Sequence, residues 1–268
     1  MAKKIKPVCL EKMVNPRWKY DRKSVRGMHG IIGVDEAGRG CLAGPVVSGA
    51  ILLPKSFFDE NKNRRITKEM NDSKQFDEGK REKLFEYVMQ LAQANELVWG
   101  MGLATVEEIE SENIVGATCL AMKRAMEEVS LHSGGQWSPV RINDESLFFG
   151  KGLNEVSSKW IVRVDGQVMK KLPYLHEGLV KGDTLSIAIA MASLVAKVSR
   201  DRMMRKLSVE FPKYDFGSNK GYGAPVHLNA LKKYGSTIHH RPRFLRKILE
   251  KENSLVNERN LQTRLSLE

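Results

Sequence analysis

Apolar and polar positions along this chain recur in two rhythms, and the switches between them outline its elements. Ile31, Ile32 and Val34 form a short apolar run bounded by glycines, the pattern of a buried strand. VVSGAILL, from Val46 to Leu53, reads as a second strand closed by Pro54. Between Asp77 and Ala94, Leu84, Val88 and Leu91 return at helical spacing, which predicts an amphipathic helix. Leu97 to Ala104 reads as a third strand, weakened by Gly100 and Gly102. Thr105-Val-Glu-Glu108 is a capping-box pattern. From Asn113 to Val129 the set Val115, Cys119, Met122, Met126 and Val129 falls on one helical face, with its methionines expected in the core. Ser158 to Val164 predicts a strand ending at Asp165-Gly166, and Glu177 to Lys181 is a short segment leading to Gly182-Asp183. From Thr184 to about Val209, Ile187, Met191, Leu194 and Val198 mark the buried side of a long helix.

Strands alternating with helices predict a layered α/β domain over residues 30–210, its sheet spanning Ile31 to Asp183. Residues 1–29 show no clear period and predict a mobile arm or loosely packed extension. Residues 130–158, rich in Ser, Gly and Asn, are long for a loop and predict an insertion or a partly disordered segment. The tail, 211–268, is basic, carries turn-forming glycines between Gly217 and Gly223, and predicts a helical cap.

Charge sharpens this outline. Lys plus Arg is 44 and Asp plus Glu is 32, a net of +12. Residues 1–30 and 213–247 each net +7, so the remainder nets −2. Two basic blocks around a near-neutral middle suit a polyanion, most commonly nucleic acid; solvated basic ends are the plain alternative. Three widely spaced cysteines, Cys9, Cys41 and Cys119, with no CxxC pair, argue against a disulfide framework or structural zinc and for a reducing compartment. The charged start has no apolar core behind it, and the longest apolar run, Ser186 to Ala196, is too short to span a bilayer. A cytoplasmic protein without a membrane partner is expected.

The candidate chemistry lies at the predicted strand ends. Asp35 and Glu36 follow the first apolar run side by side. Unpaired carboxylates there are costly to desolvate, and a divalent cation is a natural partner for two of them. Neighbouring residues of a regular strand face opposite ways, so if both acids serve one site the strand must end or bulge there. Asp165 and Asp183 stand at two further candidate ends. Four such groups on one sheet edge would repel one another unless cations fill the space, and two Mg²⁺ or Mn²⁺ ions are the usual solution. Taken singly, Asp165-Gly166 and Gly182-Asp183 read first as turns. Gly38-Arg39-Gly40-Cys41-Leu42-Ala43 fits GxGxxA on paper, but Pro45 and the β-branched run after it forbid the helix a nucleotide site requires. A glycine-flanked arginine instead lets backbone approach a sugar–phosphate chain and its 2′-hydroxyl. Tyr222 within Lys220-Gly-Tyr-Gly suits stacking on a sugar or base, or equally a turn residue covering the core. His239-His240-Arg241 reads as a basic surface contact before a metal pair, and Cys41 and Cys119 as small core residues.

Together these residues closely resemble bacterial ribonuclease HII, of the type 2 RNase H family. The matching pieces are GVDEAGRGCLAGPVV, NDSK, EEIESENIVGATCLAMKRA, VDG with LP shortly after, VKGDTLSIAIAMASLVAKVSRDRMM, and KGYGAPVHL with HHR beyond. They occur in the family's order from Gly30 to Phe244. The resemblance implies an RNase H-like fold: a five-stranded mixed sheet flanked by helices, with a small C-terminal helical part. It implies a monomeric, metal-dependent endoribonuclease using two divalent ions. Its partners would be RNA–DNA hybrids and duplex DNA holding single ribonucleotides, nicked on the 5′ side to leave 3′-hydroxyl and 5′-phosphate ends. The catalytic and metal-binding acids would be Asp35, Glu36, Asp165 and Asp183. Gly38, Arg39 and Gly40 would sense the ribose, Tyr222 would stack, and Lys74, Lys197 and Arg200 would meet the nucleic acid. Gln167, Phe76, Ala224 and Pro242-Arg243 depart from the family's usual residues and bear on fine substrate preference. The GRG loop and the short N-terminal arm favour HII over ribonuclease HIII. A non-catalytic hybrid-binding protein and an RNase H-fold nuclease acting on DNA junctions are the alternatives. The first would bind without cutting; the second would cut branched all-DNA duplexes.

Overall fold

The computed structural model describes residues 14–70, 77–142 and 159–246. Its strands are β1 (Gly30–Ala37), β2 (Val46–Pro54), β3 (Val98–Ala104), β4 (Trp160–Asp165) and β5 (Glu177–Leu179). They form one sheet in the order β3-β2-β1-β4-β5. The β1–β2 and β2–β3 pairs are antiparallel, while β4 and β5 run parallel to β1. The helices are α1 (Pro16–Ser24), α2 (Asn61–Ile66), α3 (Glu78–Gln93), α4 (Val106–His132), α5 (Gly182–Leu185), α6 (Ile187–Glu210), α7 (Phe216–Asn219) and α8 (Pro225–Tyr234). This is the layered α/β domain that the sequence pattern predicts, with the mixed five-stranded sheet that the resemblance implies.

Strand alternation divides the core between two faces. Ile31, Ile51 and Leu53 pack with Leu84 and Val88 of α3 and with Ile187, Met191, Leu194 and Val198 of α6. Ile32, Val34, Ala50 and Leu52 face the other way, onto Cys119, Met122, Met126 and Val129 of α4. Glycines set the spacing between layers: a Cβ at Gly33 or Gly49 would run into α6 backbone, and one at Gly100 or Gly102 into α4 backbone. The two glycines that weaken β3 as a sequence pattern are therefore where α4 lies down on it.

Several expectations are corrected. β1 does not stop at the paired acids but continues to Ala37 in regular register with β2, Asp35 opposite Gly49 and Glu36 opposite Ser48. Only its pairing with β4 ends earlier, at Val34, and at that free edge the two acids share one site without a bulge: Ser193 bonds the Asp35 carboxylate and lines the same cavity as Glu36. The capping box at Thr105 and Glu108 starts α4, while Asn113, at φ 57°, kinks it and accepts from the Val115 and Gly116 amides as a second cap. Val115 leaves the buried face and is exposed. The helix predicted from Thr184 is two helices, because Ser186 is extended and its hydroxyl caps α6 at the Ile189 amide.

The extension expected to be mobile or loosely packed holds, in its described part, a firmly packed helix. Trp18 of α1 is 1% exposed and lies against Phe57 and Phe58. Asn15 donates to the Thr67 and Met70 carbonyls. Residues 133–142 of the expected insertion also pack down, with Trp137 buried and the Ile142 amide on the Pro173 carbonyl; residues 143–158 lie outside the described residues. The tail begins as a cap, with Tyr214, Phe216 and Ala230 buried on Ala43 and Met204.

Candidate active site

Parallel pairing brings the carboxyl ends of β1, β4 and β5 to one edge of the sheet, where open α/β sheets place their ligands. Asp35 stands near the end of β1 on the α6 face, nearly fully buried, with the Ser193 hydroxyl on its carboxylate. Burial first, then the charges of Glu36 and Asp165, push its carboxyl well above the ordinary carboxylate range. Asp165 ends β4, and its Oδ1 accepts from the Asp183 amide at 3.3 Å. Asp183 is buried in the short helix α5, not at a strand end. The four acids thus form a chain of neighbours: Glu36 beside Asp35, Asp35 beside Asp165, Asp165 against Asp183.

Among the described residues, no three His, Cys, Asp or Glu side chains stand where they could jointly hold one metal ion. The acids supply oxygen donors along an edge rather than a finished cage. Mg²⁺ is usually held by one or two carboxylates with waters and substrate phosphates completing its shell. The open set of hard donors, and the burial and repulsion that together lift Asp35, fit such an ion.

Next to the acids a cavity of about 290 Å³ is lined by Glu36, the Gly38-Arg39-Gly40 loop, Ser193, Lys197 and Tyr222. Arg39 Nη1 donates to Glu36 Oε1 at 3.0 Å while nearly half its side chain remains exposed. Tyr222 is 45% exposed, so its ring can meet a ligand, although burial of its hydroxyl raises the phenol pKa. Lys197 Nζ reaches Asp201 Oδ1 at 2.7 Å.

Arg200 does not take the role expected of it. It is 1% exposed, and its guanidinium donates to the carbonyls of Pro45, Lys220 and Ala43. It holds the glycine loop to the Tyr222 turn from beneath, and a side chain at Gly38, φ +96°, would collide with it. Arg241 and His240 are likewise no surface contact: both are buried, and Arg241 donates to the Gly44 and Arg39 carbonyls. Lys74 lies outside the described residues.

The structure adds residues that sequence reading missed. Asp21 of α1 accepts from the Ser186 hydroxyl at 2.8 Å and the Ala188 amide at 3.0 Å, and Arg17 Nε donates to the Asp183 carbonyl at 2.8 Å. The N-terminal helix therefore braces the turn that carries the fourth acid. Ser193 was within reach of sequence: it lies four residues after Ile189 and four before Lys197, so it shares their stripe of α6.

The family model described as Ribonuclease HII matches residues 32–146 and 151–247. The chain belongs to the ribonuclease HII family. Ribonuclease HII from Ehrlichia chaffeensis is 40% identical over 214 residues, covering 80% of this chain and 85% of that protein. Ribonuclease HII from Fusobacterium nucleatum is 40% identical over 245 residues, covering 90% and 96%. Among solved structures, ribonuclease H2 from Pyrococcus horikoshii aligns with a TM-score of 0.56 at 25% identity, covering 82% of this chain and 97% of that one. Bst-RNase HIII in complex with Mn²⁺ aligns at 0.54 and 13% identity over 82% of this chain and 67% of its own, a likeness of fold. As a member of this family, the chain is a metal-dependent hydrolase acting on RNA in RNA–DNA hybrids. Among the described residues no helix is long and apolar enough to cross a membrane.

Proposed function

We propose that this member of the ribonuclease HII family nicks duplex DNA on the 5′ side of a single embedded ribonucleotide, as well as cutting the RNA strand of longer hybrids. The observation that carries the reading is the shared cavity: Glu36, the Gly38-Arg39-Gly40 loop and Tyr222 line one space beside buried Asp35. A site that reads one ribose needs sugar contacts next to its chemistry, and this cavity offers them.

Asp35, Glu36, Asp165 and Asp183 would hold two divalent ions, Mg²⁺ or Mn²⁺, which when bound supply an activated water and stabilise the leaving oxygen. Gly38 and Gly40 keep the loop free of bulk, so its backbone can approach the 2′-hydroxyl that separates RNA from DNA. Arg39 would meet a phosphate, since its charge lies at the mouth of the cavity beside Glu36. Tyr222 would stack on the neighbouring sugar or base. Lys197 would add positive charge on the α6 side.

The test is a labelled duplex holding one ribonucleotide, incubated with Mg²⁺ or Mn²⁺. The expected product is a single nick on the 5′ side, with 3′-hydroxyl and 5′-phosphate ends, absent in Asp35→Asn. No nick under either metal, or equal cutting of an all-DNA branched duplex, would refute the reading.

A further inference from the structure

A second, strongly basic cavity lies away from the acids. It measures about 530 Å³ and is lined by Lys19, Arg22, Lys23 and Arg26 of α1 and the turn after it, and by Lys55 beyond β2. All five are exposed, and Asp59 is the single acid among the described lining residues. Buried Val25 and Phe58 form its floor.

Its position is defined by the sheet. The Lys55 amide donates to the His29 carbonyl at 2.7 Å, which places the cavity at the entry end of β1. Asp35 lies five residues of strand further on, roughly 17 Å at the usual rise. The wall is also fixed in place. The opposite face of α1 is locked by Trp18 on Phe57 and Phe58, by Asn15 on the Thr67 and Met70 carbonyls, and by Asp21 on the start of α6. Cations brought together on a rigid wall repel one another, and a polyanion relieves that repulsion while releasing its own counterions. Arginines at such a site can grip phosphate oxygens with two parallel donors.

We propose that this cavity is a second binding site, for the phosphates of a nucleic-acid backbone, distinct from the catalytic cavity. The proposal takes its duplex ligand from the function proposed above, but it concerns binding and stands or falls without cleavage. At a rise of roughly 3.4 Å per base pair that length of strand equals some five pairs, the least by which a duplex must extend beyond the acids to reach the cavity. Short duplexes seated at the acids would miss it, and longer ones would reach it.

The experiment measures affinity against salt, without divalent metal so that nothing is cut. It compares the wild-type chain with Arg22→Ala/Lys23→Ala/Arg26→Ala, on duplexes of about 8 and about 30 base pairs, each with its one ribonucleotide at the centre so that the shorter extends only about four pairs either way; each lost phosphate contact should lower the salt slope by roughly 0.9. For the long duplex the expected result is an affinity about 5- to 30-fold weaker and a slope lower by about 1 to 2, as that counterion rule predicts. For the short duplex the two proteins should agree within about twofold. Thermal melting of both proteins serves as the folding control, and Lys55→Ala, on the other wall and outside α1, should reproduce part of the loss. An unchanged affinity and slope on the long duplex would overturn the proposal. So would an equal loss on both lengths, which would mean a general field rather than a site. Binding of the wild-type chain to anionic phosphatidylserine vesicles that the triple variant loses, with duplex binding unaltered, would assign the cavity to lipid headgroups and overturn it as well.

Discussion

Asp35 shows most clearly how a single residue here trades stability for function. Its carboxyl is buried and lies beside two other acids, so its ionised form is disfavoured in the folded chain. Removing the charge while keeping the shape relieves that penalty. In metal-free buffer Asp35→Asn should melt at the same temperature as the wild type or up to about 2–4 °C higher, the shift that roughly 1 kcal/mol produces in a chain of this size. Added Mn²⁺ should raise the melting temperature of the wild type and leave the variant unmoved. A variant that melts well below the wild type would show that Asp35 is a structural acid.

The buried histidines make a second prediction at this scale. The Thr237 amide donates to His240 Nδ1, so His240 carries its proton on Nε2 and donates to His227 Nε2 at 3.0 Å. His227 Nδ1 then donates to the Tyr222 carbonyl at 2.8 Å. The chain of bonds requires both rings neutral. Burial lowers the His227 pKa, and burial together with the charge of His227 lowers His240 to about 4. Depressed histidines bind fewer protons folded than unfolded, so their contribution is complete above the ordinary pKa near 6.5 and lost as pH falls toward 4. Urea unfolding free energies should drop across that window, and His240→Gln should show a shallower drop; identical slopes would count against the assignment. The sequence displays HHR as charge, but not which way it points. Arg200, Arg241 and His240 turn inward onto partners that the local pattern does not show: the Pro45 and Ala43 carbonyls for Arg200 and the Gly44 and Arg39 carbonyls for Arg241, all more than 150 residues away, and the His227 ring for His240.

At the scale of elements, the helical periods were legible and their breaks were not. Leu84, Val88 and Leu91 of α3 and Ile187, Met191, Leu194 and Val198 of α6 are buried as their spacing requires. The apolar pattern of β1 ends at Val34, whereas its backbone pairing continues to Ala37, because a ladder depends on the partner strand and not on side-chain polarity. Helix α1 escaped notice for a similar reason. It is strongly polar overall, and its burial rests on Trp18, Asp21, Arg17 and Asn15 rather than on an apolar stripe. This predicts that α1 is part of the folded domain. Trp18→Ala should cost about 3–5 kcal/mol, as large aromatic deletions do in cores. Asp21→Ala should cost about 2–4 kcal/mol, since it strips partners from Ser186 and Ala188 at the start of α6. Denaturant titration of the two variants measures both; losses under about 0.5 kcal/mol would return α1 to the role of an arm.

For the molecule as a whole, topology does what no local pattern could. Acids at 35 and 165 are far apart in sequence, and they meet because β4 lies parallel beside β1. Asp183 joins them through β5 and the α5 turn, which Arg17 holds by the Asp183 carbonyl. The residue types of the site and their order were readable in the sequence. Their distribution was not: Asp35 on the α6 face, Glu36 along the cavity with the glycine loop, Asp183 on a helical turn. The most direct test is a calorimetric titration of Mn²⁺ into the chain bound to an uncleavable ribonucleotide-containing duplex, repeated for Asp35→Asn, Glu36→Gln, Asp165→Asn and Asp183→Asn. One shared site predicts that each substitution weakens Mn²⁺ binding about tenfold or more, roughly 1.4 kcal/mol. Wild-type Mn²⁺ affinity in any of the four would remove that acid from the site, and wild-type affinity in Asp35→Asn or Asp165→Asn would contradict the account.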